Sequence, residues 1–139
     1  MVNREVIQSK LTSLSEYIKD LEEVQGVSLA EFRANKMLRR YVERTLQLAI
    51  EVCLDTGNHI ISDLMLREPL SNRDVFIILV ENGYLGTEKQ ESFIKMAGFR
   101  NLVIHDYARI EPEIVFSVLR NNLSDLKYFT SKIRGRFLI

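Results

Sequence analysis

Residues 100–107 read Arg-Asn-Leu-Val-Ile-His-Asp-Tyr, placing a permanent cation, an amide, an imidazole and a phenol within eight positions. A guanidinium grips phosphate through a planar fork of donors. An imidazole, with an unperturbed pKa of about 6.5, exchanges protons near neutral pH. Together they suit phosphodiester cleavage, in which phosphate charge is stabilised and a hydroxyl proton is moved. Leu102, Val103 and Ile104 can anchor the segment in a core.

Helical geometry constrains how these groups cooperate. At 100° per residue, Arg100 and His105 would lie about 140° apart, and His105 and Tyr107 about 160° apart. One straight helix cannot aim all three at the same phosphate. Either the helix ends near His105, which Asp106 and Pro112 favour, or two subunits combine their halves. A plainer alternative keeps His105 as an imidazolium at a helix C-terminus and Tyr107 as a packing ring.

Little else in the chain competes for the chemistry. His59 is the only other histidine, too far from His105 for metal-ligand spacing, and is expected to be structural. Its neighbour Asn58 suits a supporting polar contact or a backbone bond. Tyr17, Tyr41, Tyr84 and Tyr128 are expected in the core or at its rim. Cys53, the single cysteine, rules out an internal disulfide and a cysteine-rich zinc site. Nucleophile-elbow, phosphate-loop and dinucleotide-binding glycine patterns are absent.

The positioning elements are helical. Ile7, Leu11, Leu14, Ile18 and Leu21 alternate spacings of four and three, which predicts an amphipathic helix ending near Gly26. Ser28-Leu29-Ala30-Glu31 has the form of a capping box. It predicts the start of a second, long helix whose apolar face runs from Leu38 to Thr56 and on past Gly57 toward Asp63. Pro69 breaks the pattern, and Ser71 starts a short third helix ending at Asn82-Gly83. Thr87-Glu88-Lys89-Gln90 is read as the cap of a fourth helix carrying Phe93, Met96, Ala97 and then the motif. Pro112, in a tolerated first-turn position, opens a fifth with the stripe Val115, Leu119, Leu123, Leu126, Phe129 and Ile133. No segment alternates with period two. The expected fold is all-α: an antiparallel bundle of about five helices, forming one domain over residues 1–139.

Composition agrees with a globular domain: 139 residues, 46% hydrophobic and 27% charged, with two prolines and six glycines. Net charge is zero, so the whole-chain balance does not itself predict a nucleic-acid partner. Its distribution is uneven, however, with residues 31–44 and residues 98–139 each carrying a net +3. No signal-type n- and h-regions open the chain, and no apolar run approaches the ~20 residues that cross a bilayer. No membrane association is expected, and the localisation expected is cytoplasmic.

Arg100-x4-His105-x-Tyr107 at the end of a fourth helix resembles the signature of HEPN-domain ribonucleases, specifically the HepT-type toxins. The resemblance extends over Arg40–Glu51, Gly57–Ile61, Gly98–Asn101, His105–Tyr107 and Pro112–Val115. It implies an all-α homodimer with the motifs meeting in a cleft, and RNA cleavage that uses neither metal nor cofactor. It also implies a nucleotidyltransferase antitoxin encoded nearby, which transfers AMP to the motif tyrosine, here Tyr107. On that reading Arg100 clamps the phosphate, His105 transfers the proton, and Asn101 orients substrate or His105. Tyr107 supports the phosphate contacts and accepts the inhibitory adenylyl group. A rival reading is a non-catalytic helical dimer that binds and regulates a nucleotidyltransferase, with the motif as docking surface.

Overall fold

A computed structural model describes residues 1–139. It contains seven α-helices and no strand: α1 (Arg4–Val24), α2 (Leu29–Ala34), α3 (Lys36–Asp63), α4 (Asn72–Glu81), α5 (Gln90–His105), α6 (Pro112–Asn121) and α7 (Leu123–Phe137). Short 3-10 turns at Thr87–Lys89 and Tyr107–Arg109 bracket α5.

The hydrophobic stripes read from the sequence become the core. Ile7, Leu11, Leu14, Ile18 and Leu21 of α1 are buried, as are Val115, Leu119, Leu123, Leu126, Phe129 and Ile133. Central to the bundle is α3, which packs against α1, α2, α4, α5, α6 and α7. Its Val42, Leu46, Ala49, Ile50, Cys53, Leu54, Ile60 and Ile61 are buried, a wider apolar surface than one seam provides. Phe76, Phe93 and Phe129 meet where α4, α5 and α7 converge, with centroids 5.0–6.4 Å apart. Tyr17, Tyr84 and Tyr128 pack at the rim of the core, whereas Tyr41 is exposed.

Two expected helices are each divided. The capping box at Ser28 starts only the six-residue α2, with Ser28 Oγ accepting from Glu31 N at 3.1 Å. Asn35 then ends α2 and caps α3, its Oδ1 accepting from Leu38 N at 3.0 Å. The expected fifth helix breaks at Asn122 into α6 and α7 while its buried stripe continues across the break. Thr87 differs from the expectation as well, because it opens a 3-10 turn and supplies no side-chain cap to α5.

Gly57 sits inside α3, where a Cβ would lie 2.6 Å from Val75 Cγ1 and 3.2 Å from Leu79 Cδ1. The glycine therefore lets α4 approach closely. At the Pro69 break, Arg67 grips Asp74 with both Nη atoms, at 2.7 and 2.8 Å. That pair, aided by the Leu70 N–H, holds the Asp74 carboxyl down at about 2 and ties the start of α4 to the preceding loop.

Candidate active site

The C-terminal half of α5 is anchored by Met96, Ala97, Phe99 and Val103, all buried. This leaves Arg100 and Asn101 half-buried, turned toward neighbouring helices. Arg100 Nε and Nη2 donate to Glu51 Oε1 on α3 at 3.2 and 3.1 Å. Arg100 Nη1 donates to Asn101 Oδ1 at 3.2 Å. Asn72 Nδ2, from the first turn of α4, donates to the same Asn101 oxygen at 3.1 Å. Gln47, one turn before Glu51 and itself buried, donates to Glu51 Oε1 at 3.2 Å. Three helices thus orient one guanidinium. The Arg100 and Glu51 side chains are 22% and 28% exposed, so their pair is more shielded than an ordinary surface ion pair.

A guanidinium has five N–H donors. Glu51 uses one from Nε and one from Nη2, and Asn101 uses one from Nη1. One donor on each Nη remains without a protein partner, available to the oxygens of a phosphate. Glu51 occupies the side-on edge formed by Nε and Nη2, and Asn101 takes one further donor from Nη1.

The helix ends at His105, one of the two alternatives that the angles left open. His105 is the last residue of α5 and is exposed. Asp106, at φ −142° and ψ 41°, donates its N–H to Leu102 O, and the chain turns into the 3-10 segment Tyr107–Arg109. Tyr107 is 51% exposed. It lines a shallow cavity of about 250 Å³ together with Lys36, Arg39, Arg40 and Glu43 from the start of α3. The basic segment 31–44 supplies the cations here, and the motif segment supplies Tyr107, Ala108, Ile110 and Pro112.

The four sequence-selected residues therefore separate into groups. Arg100 and Asn101 share one hydrogen-bond network, and the bonds of that network include neither His105 nor Tyr107. Asn101 Oδ1 accepts from Arg100 Nη1 and Asn72 Nδ2, and Asn101 makes no hydrogen bond to His105. Glu51, Gln47 and Asn72 were not among the candidates. Their only local mark is the i,i+4 spacing of Gln47 and Glu51 within the packed stretch of α3, which does not by itself point to Arg100. His59 lies elsewhere on α3, with Nε2 3.0 Å from Asp63 Oδ2 though not aligned for a hydrogen bond. No three His, Cys, Asp or Glu side chains converge as a metal-ligand group.

Comparison with known proteins connects this arrangement to a family. Residues 14–133 match the family model described as ribonuclease HepT-like. The chain is 31% identical over 131 residues to the mRNA nuclease HepT of Shewanella oneidensis, covering 94% of this chain and 98% of that protein. It is 26% identical over 130 residues to the tRNA nuclease HepT of Aphanizomenon flos-aquae, covering 94% and 88%. Among solved structures, it superposes with a TM-score of 0.85 on the tri-AMPylated Shewanella oneidensis HEPN toxin in complex with MNT antitoxin. Identity there is 31%, over 94% of this chain and 97% of that one.

Proposed function

This chain belongs to the HepT-like ribonuclease family, and from that premise we propose that it is the ribonuclease toxin of a toxin–antitoxin pair whose antitoxin is a nucleotidyltransferase. The observation that carries the reading is the guanidinium of Arg100, held by Glu51 on Nε and Nη2 and by Asn101 on Nη1, with one donor on each Nη left without a protein partner. A pre-oriented cation stabilises charge that develops on a phosphate without reorganising at the moment of reaction.

The ribose 2′-oxygen attacks the adjacent phosphorus and gives its proton to His105. The bond from phosphorus to the 5′-oxygen breaks, leaving a 2′,3′-cyclic phosphate, and the departing oxygen takes a proton from water. The substrate supplies its own nucleophile, so the step is metal-independent. Arg100 clamps the phosphate and Asn101 holds Arg100 in place. Tyr107, half-exposed just past the helix end, borders the phosphate contacts and is the acceptor for AMP from the antitoxin. The two relatives act by name on mRNA and on tRNA, which supports RNA as the substrate class. No helix is long and apolar enough to cross a membrane, and we place the protein in the cytoplasm, acting as a single domain and as a homodimer.

The test is incubation of the purified protein with RNA in EDTA. Wild type should cleave and His105→Ala should lose cleavage by at least ~10². Absence of cleavage by wild type under all conditions would leave a docking module. With the antitoxin, ATP and magnesium, intact mass should show AMP on the wild type and none on Tyr107→Phe. AMP found on a different tyrosine removes Tyr107 from the switch.

A further inference from the structure

Lys36, Arg39 and Arg40 play no part in the cleavage step above, yet they share one cavity with Tyr107. Three cations and one carboxylate, Glu43, give that cavity a local charge of +2. Arg39 is partly committed, because its Nη1 donates to the carbonyls of Phe32 and Arg33 at the end of α2. Lys36 and Arg40 are exposed, and the ion pairs of the chain bypass both. Glu43 has its Oε2 buried without a hydrogen-bond partner, so it does not neutralise them by contact.

We propose that this cleft is a second phosphodiester site, separate from the Arg100 fork, seating a backbone phosphate of the RNA strand beside the cut. In the silenced protein the same cleft takes the phosphate of the adenylyl group on Tyr107. The inference rests on the ribonuclease reading. Two unpaired cations supply charge-assisted contacts to non-bridging oxygens. A phosphate ester formed on the tyrosine hydroxyl is tethered at the wall of the cavity, so it meets those cations at high effective concentration. RNA and the adenylyl group then compete for one seat.

The probe is a fluorescein-labelled, fully 2′-O-methylated oligoribonucleotide, in which no 2′-hydroxyl can attack. Its Kd is measured by anisotropy at about 50 and about 200 mM salt, the range over which phosphate binding weakens steeply. The proteins compared are wild type, Lys36→Ala/Arg40→Ala and Lys36→Arg/Arg40→Lys. The alanine variant should bind roughly tenfold more weakly, with a salt slope smaller by about 0.7 for each phosphate it no longer neutralises. The charge-conserving variant should stay near wild type. Equal Kd and slope for wild type and alanine variant overturn the cleft. Equal weakening by both variants also overturns it, because that marks a folding defect and not a missing charge.

A second arm separates the two phosphodiester sources. Wild type carrying AMP on Tyr107 should lose about as much affinity as the alanine variant, and the adenylylated alanine variant should lose little more. Fully additive losses would put the adenylyl group outside the cleft. Cleavage of unmodified RNA by wild type is scored separately. Its absence defeats the ribonuclease reading, whereas cleavage with unchanged probe binding defeats the cleft alone.

Discussion

At Arg100 the donors of one side chain are divided between two tasks. Glu51 and Asn101 take up the donors that set its orientation, and one donor on each Nη is left without a protein partner. Lysine could keep an ion pair with Glu51 but has only a single ammonium. Arg100→Lys should therefore keep the thermal midpoint within a few degrees while lowering kcat/KM for RNA by about 10²-fold or more, the scale of losing an aligned donor to a developing charge. Side-by-side cleavage rates and melting curves check this. Equal rates at equal folding would remove Arg100 from the chemistry.

At the scale of the elements, Gly57 shows packing prevailing over propensity. Alanine would favour the helix by about 1 kcal/mol in isolation. Here its Cβ would press to 2.6 Å from Val75 Cγ1, and overpacking of this kind costs about 1–3 kcal/mol. Gly57→Ala should therefore lower stability by about 1 kcal/mol net, a few degrees in Tm. A rise in Tm would show that α4 can withdraw freely. The same contest explains what was legible in the sequence. Apolar periodicity located the buried stripes of α1 and of α6 and α7, but not the α4 residues Val75, Phe76, Ile78 and Leu79 or the α3 residues Leu46, Ile50 and Leu54. The stripe also runs from Leu119 to Leu123 across Asn122 at helical spacing, so the break there was hidden. Arg100, His105 and Tyr107 were legible as chemistry because they are close in the chain. Glu51 was not selected, because a bond across 49 positions has no local signature. Lys36 and Arg40 were legible as charge, while their meeting with Tyr107 required the fold.

The whole molecule carries no net charge, yet the basic segment 31–44 brings three cations to one end of the motif. Within one chain, Arg100 faces α3 and α4, while His105 and Tyr107 lie exposed beyond the last turn of α5. Pairing two copies through this end would bring a second set of motif residues to the same cleft. Ile104 and Ile114, 40% and 41% exposed, provide apolar surface close to the motif in sequence. Sedimentation at assay concentrations should give about twice the 16.2 kDa chain mass, and Ile104→Asp should shift the protein toward monomer with parallel loss of cleavage. A fully active monomer would contradict this.

The boundary at Asp106 divides what is built in from what can be written on. Upstream, Arg100 is braced by three helices, while downstream Tyr107 stands half-exposed on a single 3-10 turn. If Tyr107 carries the proposed adenylyl group, the mark is attached outside the core, where the bundle need not repack to hold it. Such a silenced state would be a chemical memory, its lifetime set by a covalent bond and not by refolding. Removing the mark would then restore the site without rebuilding the bundle.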